Sequence, residues 1–366
     1  MPSSDHRLAQ RHERIVSSSQ YSEGKFKNTR PVGPGLRKGT TLSTMGKFFF
    51  GGGHRVPIAP LPAEDPREPW TRAVDSGLRA TWLGHSTVLL EIDGLRVLTD
   101  PVWGERASPA SFAGPKRFQP VPVGIEGLPP LEAIVVSHDH YDHLCRASIV
   151  KLAATTTTPI FTSLGVGARL ENWGIAPERV VELDWWDSAQ TQNGLTVTAA
   201  PSQHFSGRRL GDRNTTLWSS FAMRGEKHAV FFSGDTGLTD EYTQIRDMLG
   251  PFDLVMLEVG AFHPAWGDIH LGPQNALAAV GMLGATHLLP VHWGTFNLAI
   301  HDWDEPVETL LRLADQRGTR LVMPKLGAPV EPARAGLVDP WWRPVTALEH
   351  RRVTSTPSVV PHQLKR

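Results

Sequence analysis

The chain carries one cysteine, Cys145, among 366 residues. A single thiol cannot close an internal disulfide, so a disulfide scaffold is excluded and a reducing, cytoplasmic compartment is favoured. An excess of one charge is lacking too: 37 lysines and arginines face 37 aspartates and glutamates. Zero net charge gives no global attraction to nucleic acid, which is set aside as a partner. No run of 18 apolar residues occurs, so no spanning helix is expected. The opening MPSSDHRLAQRHERIV has no apolar core of the kind a signal peptide needs. No internal repeat is visible by inspection.

What is present is a globular composition, 40% hydrophobic, long enough for one large α/β domain with extensions or for two or three domains. Residues 1–75 are rich in Gly, Pro, Ser and Arg, show little periodicity, and read as an extended arm. Within it, Phe48, Phe49 and Phe50 read as docking on the protein's own core or touching an apolar partner. From Arg79 the pattern becomes strands: Thr87 to Ile92, an Asp93-Gly94 hairpin turn, then Leu95 to Thr99. Further strands are expected over 131–137, 159–164, 179–183, 195–200, 218–223, 228–233, 252–259, 287–293 and 320–324. Helices are expected over 143–153, 239–249, 273–283 and 305–317. The catalytic domain is placed at 76–332, and 333–366 reads as a weakly periodic tail.

Val135 to Leu144 reads VVSHDHYDHL. His138, His140, Asp142 and His143 crowd the end of an apolar run, where desolvation would cost several kcal/mol per unpaired charge. A bound cation resolves that cost; imidazole and carboxylate donors suit zinc, and also manganese or iron. The arrangement of apolar strand, candidate ligand and turn recurs at His204, Asp235 and His292. Seven ligands exceed one tetrahedral ion. A coherent partition gives one metal His138, His140 and His204 and the other Asp142, His143 and His292, with the two oxygens of Asp235 serving both. Two metals roughly 4 Å apart share a water, lower its pKa and clamp both oxygens of a displacement.

HxHxDH followed by a distant His, Asp and His resembles the signature of the metallo-β-lactamase superfamily. Within it, RATWLGHSTVLLEIDGLRVLTDPVWGERASPASFAGPKRF, QHFSGRRLGDRNTTLW, FFSGDTG, FDLVMLEVGAF and PVHWGTFNLAIHDWDEP resemble the N-acyl-phosphatidylethanolamine-hydrolysing phospholipase D family, as does YSEGKFKN in the arm. The resemblance covers about residues 20 to 315. It implies an αββα sandwich and two zinc ions on His138, His140, Asp142, His143, His204, Asp235 and His292. It also implies phosphodiester cleavage in lipid or lipid-like substrates by a metal-activated water. Asp142 is then also a proton acceptor, and His270 in GDIHLGP an additional active-site histidine that binds a phosphoryl oxygen or protonates the leaving alkoxide. The chain departs from the family at His263, where an acidic residue is expected, and at Phe205, where Trp is expected.

Other residues are read more plainly. Arg208 and Arg209 orient phosphate or form surface salt bridges. Asp100 and His85 lie near the site, Asp100 as a carboxylate that orients a ligand and His85 as a structural residue. Cys145 reads as a small buried hydrophobe, and Trp185, Trp186, Trp341 and Trp342 as core or interface. The partners left open are a small-molecule or phospholipid substrate, a membrane touched at its periphery, and a second copy in a homodimer. Competing activities are hydrolysis of lactones, β-lactams or other cyclic esters and amides, and di-iron oxygen or nitric oxide reduction, which lacks its flavin domain here.

Overall fold

A computed structural model describes residues 4–32, 53–110, 112–263 and 267–348. Phe48, Phe49 and Phe50, and the tail beyond 348, lie outside the described residues. The arm begins with a helix, α1 (Ser4–Ser17), which the sequence pattern did not announce. Its inward positions are Arg7, Arg11 and Ile15, so the helical repeat is carried by arginine rather than by apolar residues. Arg11 pairs with both Glu171 and Glu182, and Arg14 donates to the Glu182 carbonyl at 2.9 Å. A short hairpin, β1 (Tyr21–Ser22) and β2 (Lys25–Phe26), then buries Phe26 among Leu164, Trp185, Leu217 and Trp218.

Two seven-stranded mixed sheets follow. The first contains β3 (Leu78–Gly84), β4 (Thr87–Ile92), β5 (Leu95–Thr99), β6 (Ala133–Val136), β7 (Ile160–Ser163) and β8 (Val180–Leu183) in sequential order. The second runs outward from β9 (Ser188–Gln190) through β10 (Thr196–Ala200), β11 (Ser220–Arg224), β12 (Ala229–Phe232), β13 (Leu254–Glu258) and β14 (His287–Val291) to β15 (Arg320–Leu321). The chain then returns as β16 (Pro329–Val330) to the edge of the first sheet beside β3. Each sheet is antiparallel on one side and parallel on the other: β5 to β8 and β12 to β15 are parallel. Parallel neighbours need crossovers, supplied by α2 (Arg146–Thr155) and α3 (Gly167–Asn172) on the first sheet. On the second they are α4 (Glu241–Leu249), α5 (Gly272–Met282) and α6 (Glu305–Leu313).

Side-chain alternation assigns the layers. On β6, Ala133 and Val135 join the core shared with the second sheet, while Ile134 and Val136 pack with Ile149 and Leu152 of α2 and Leu170 of α3. The result is the expected αββα sandwich. The Asp93-Gly94 turn has φ of 51° and 85°, the left-handed pair a two-residue type I′ hairpin demands. Part of the stretch read as tail is core: Trp341 and Trp342 are buried, and Trp341 lies 5.8 Å from Trp293, which stacks on Trp82 at 5.0 Å.

Candidate metal centre

The topology brings one edge of both sheets together. The carboxyl ends of β5, β6, β10, β12, β13 and β14 point the same way, as does the turn between β3 and β4. Asp100 follows β5, His138 follows β6 after one residue, Asp235 follows β12, and His292 directly follows β14. His204 stands on the irregular segment after β10, and Glu258 is the last residue of β13. His85, Asp100 and His292 have φ of 54°, 32° and 65°, backbone strain of the kind that collects where side chains are aimed into a site.

The seven expected ligands form two groups that meet at Asp235, and a third converging set, Asp235, Glu258, His270 and His292, adjoins them. In the first, His138, His140, His204 and Asp235 place one ligand atom each within 4.8 Å of one another. His140 Nδ1 lies 2.8 Å from His138 Nε2 and 3.3 Å from His204 Nε2, and Asp235 Oδ2 lies 3.9 and 3.7 Å from those same two Nε2 atoms. In the second, Asp235 Oδ1 lies 3.1 Å from His143 Nε2 and 3.2 Å from His292 Nε2. Asp142 Oδ2 completes it at 3.5 Å from His143 Nε2, 3.4 Å from His292 Nε2 and 3.1 Å from His85 Nε2. His143 Nε2, His292 Nε2 and Asp235 Oδ1 are buried and have no hydrogen-bond partner in the protein. Buried lone pairs aimed at a common point and satisfied by nothing else are what a cation would satisfy, so the residues present fit a metal centre.

Comparison with known proteins agrees. Residues 95–293 match the beta-lactamase superfamily domain. The chain belongs to the metallo-β-lactamase superfamily. An uncharacterized protein of Mycobacterium tuberculosis is 49% identical over 290 residues, 78% of this chain and 77% of that one. The N-acyl-phosphatidylethanolamine-hydrolyzing phospholipase D 1 of Caenorhabditis elegans is 42% identical over 255 residues, 66% of this chain and 71% of that one. Among solved structures, a metallo hydrolase from Ignicoccus hospitalis overlays with a TM-score of 0.54 at 20% identity, covering 69% of this chain and 97% of the other. This superfamily member is accordingly a metal-dependent hydrolase.

Electrostatics separates the two groups. Burial pushes the His138 and His204 imidazoles well below their ordinary pKa, with His143 adding to the effect at His138, so both are neutral lone-pair donors. Burial acts the same way on His143 and His292, but Asp235 and the other carboxylates outweigh it and raise both, His292 to about 10. The second group is thus the more negative one: Asp235, Asp142 and Asp100 act on His143, and Asp235, Asp142 and Glu258 on His292. Outside the donors sits a layer that aims them. Asp100, fully buried, accepts from His143 Nδ1 at 2.6 Å and from the Ser137 amide and hydroxyl at 2.7 Å each. The Ile269 carbonyl faces His204 Nδ1 at 2.9 Å. Each contact occupies one ring nitrogen and leaves the other for the centre.

Glu258 was missed in the sequence. It is fully buried and accepts from His270 Nδ1 at 2.8 Å and from the Thr236 and Leu271 amides at 2.9 and 3.2 Å. His270 stands at the rim of the centre, its ring 5.1 Å from that of His204 and 5.5 Å from that of His292. Asp139, between the candidate ligands, was also passed over: it is buried, pairs with Arg169 at 2.7 Å and accepts the Gly207 amide at 2.8 Å. Its only sequence signal was its place inside the histidine motif.

The remaining residues singled out are placed as follows. His85 is buried within the second group, its carbonyl accepting the His292 amide at 3.0 Å. Arg208 donates to the Asp139 and Leu144 carbonyls at 2.6 and 2.7 Å and lies 3.8 Å over the Tyr141 ring, so it braces the histidine loop from behind. His263 is half-buried and belongs to none of the converging groups found among the described residues. Phe205 packs on His140 and His204 at 4.6 and 4.7 Å between ring centroids. Cys145 is half-buried at the N-terminus of α2 rather than a core hydrophobe. No helix among the described residues is long and apolar enough to cross a membrane.

Proposed function

We propose that this chain is a dinuclear zinc phosphodiesterase of phospholipase D type, acting on N-acyl-phosphatidylethanolamine or a similar lipid phosphodiester. One observation supports it above the rest: Asp235 turns Oδ2 toward His138 and His204 of one group and Oδ1 toward His143 and His292 of the other. A carboxylate so placed could serve two cations at once. His138, His140 and His204 would hold one, Asp142, His143 and His292 the second, and manganese or iron fits the same donors. Ions held there supply a water acidified to a nucleophile near neutral pH and positive charge for the phosphoryl oxygens.

The chain's own residues do the rest. Asp100 and the Ile269 carbonyl fix which nitrogen of His143 and His204 faces inward. Glu258 occupies His270 Nδ1, leaving Nε2 to donate to a phosphoryl oxygen or to pass a proton to the departing alkoxide. Asp142 is the proton acceptor for the attacking water, with His85 Nε2 at 3.1 Å holding its carboxylate. The 42% identity to the nematode phospholipase D supports the lipid substrate. A membrane offering that lipid would be touched from its surface.

The test combines metal analysis with a substrate panel. Purified protein should hold close to two metals per chain. It should hydrolyse bis(p-nitrophenyl) phosphate and release N-acylethanolamine from N-acyl-phosphatidylethanolamine vesicles, and lose both activities to a chelator. Hydrolysis of lactones with no phosphodiesterase activity would overturn the proposal.

A further inference from the structure

His204 differs from His138 and His292 in how its main chain is held. His292 directly follows β14, and His138 follows β6 after one residue, so an adjoining strand fixes each backbone. His204 lies four residues beyond Ala200, the end of β10, in a segment with no regular structure. Its main chain is nevertheless satisfied at both polar groups by one side chain. Asn28 Nδ2 donates to the His204 carbonyl at 2.8 Å, and the His204 amide donates to Asn28 Oδ1 at 3.0 Å. The same Oδ1 accepts from Trp218 Nε1 at 3.0 Å, and that indole also donates to the Ser202 carbonyl at 2.9 Å. Asn28 therefore spans the His204 peptide groups much as a neighbouring strand would.

Asn28 is itself held on both sides. Before it, Phe26 is fully buried and its amide donates to the Asn214 carbonyl at 2.8 Å. Asn214 in turn accepts the Ser206 amide at 3.2 Å through its side chain, so the same hairpin steadies the segment after His204. After it, Thr29 bonds Glu241 and Arg30 pairs with Asp240 at the start of α4. Behind the hairpin, Arg11 ties α1 to Glu171 and Glu182. The arm is a strap drawn across the catalytic domain, and through Asn28 it makes a two-point contact with the main chain of a candidate ligand.

We propose that Asn28 is a positioning residue for the metal group of His138, His140 and His204, and that the N-terminal arm is by this contact a part of the metal centre. The inference rests on the two-metal reading above. Only a primary amide carries a donor and an acceptor at this spacing: aspartate keeps the acceptor alone, and alanine keeps neither. With the amide gone, His204 retains its ring contact to Ile269 but loses what fixes its backbone. The selective consequence is weaker binding at one metal site of the two. Loss of a residue that orients a ligand lowers metal affinity roughly 10- to 100-fold.

The experiment is a stepwise zinc titration of the full-length metal-free protein against a chromophoric chelator, for wild type, Asn28→Ala and Asn28→Asp, with the Tm of each metal-free protein recorded. Expected is a 10- to 100-fold loss of affinity at one site in Asn28→Ala, a smaller loss in Asn28→Asp, and the second site unchanged in both. Two sites at wild-type affinity in Asn28→Ala overturn the proposal. So does equal weakening of both sites alongside a lowered metal-free Tm, the mark of a purely structural role. Should Asn28→Ala fail to fold, the Asn28→Asp titration decides by the same criterion. A wild-type chain that takes a single metal overturns the two-metal reading instead, and the role of Asn28 then stands or falls on whether its substitution weakens that one ion.

Discussion

Glu258→Gln isolates the contribution of His270. The glutamate side chain is fully buried and its oxygens accept from the Thr236 amide at 2.9 Å, the Leu271 amide at 3.2 Å and His270 Nδ1 at 2.8 Å. Glutamine fills the same volume and its oxygen can keep the two amides, while its NH2 meets the imidazole where a carboxylate oxygen stood. What is lost is one charge-assisted hydrogen bond to His270, worth about 1.5 to 3 kcal/mol. If His270 acts in the transition state, that stabilisation is lost and the barrier rises by as much, so kcat should fall roughly 10- to 150-fold with KM little changed. Metal content should stay at the wild-type value, because Glu258 lies 3.9 Å from His292 Nδ1 and touches no inward-facing nitrogen. The assay is steady-state hydrolysis of bis(p-nitrophenyl) phosphate by the metal-saturated variants Glu258→Gln, His270→Gln and the double variant. A residue that works through His270 adds nothing once His270 is gone, so the double variant should match His270→Gln. Additive losses, or an unchanged kcat in Glu258→Gln, would refute the coupling.

Three further perturbations bear on the centre and its support. Asp235→Asn leaves one acceptor oxygen where two faced the two groups; metal should drop below two per chain and kcat/KM by more than about 100-fold, and full metal with full rate would end the bridging role. Arg208→Lys gives up the guanidinium whose Nη1 donates to both the Asp139 and Leu144 carbonyls. Metal affinity should fall while KM of the metal-saturated enzyme holds; a raised KM at full metal would instead make Arg208 a substrate contact. Far from the centre, Asp93 joins the turns of the two sheets, accepting from the Lys227 amide at 2.8 Å, the His228 amide at 3.0 Å and His228 Nδ1 at 2.6 Å. Burial works against its carboxylate, but the His228 ring and the two amides outweigh it and hold the pKa below the ordinary value. A depressed folded-state pKa stabilises above the unfolded value, near 4, and that stability is lost as pH falls through the depressed one. Asp93→Asn should therefore cost about 1 to 2 kcal/mol in urea unfolding at pH 7, a deficit that shrinks as pH falls below about 4; a deficit that does not change with pH would show the charge to be irrelevant.

The legible parts of this centre share one property, that their reason is local. His138, Asp235 and His292 each stand just past an apolar strand, and a titratable group at such a place is costly unless something binds it. Glu258 obeys the same rule, yet it is the last residue of LVMLE and runs on into Val259, also buried, so no turn residue separated it from the strand. Its meaning comes from His270, on the far side of the loop after β13. The helix α1 failed for a related reason. Periodicity is read from apolar residues, and this helix turns Arg7 and Arg11 inward toward the body of the protein, with Arg11 meeting acids at 171 and 182 that no local pattern anticipates. Asn28 is the extreme case: a half-buried amide in a polar stretch whose partners lie 176 and 190 positions away. Hydrophobic burial leaves a repeat in the sequence because every turn or pleat must meet the same core. A side-chain hydrogen bond to a distant partner imposes no repeat, so Asn28 and Glu258, unlike Asp100 at the end of its strand, are found only once the fold has brought their partners together.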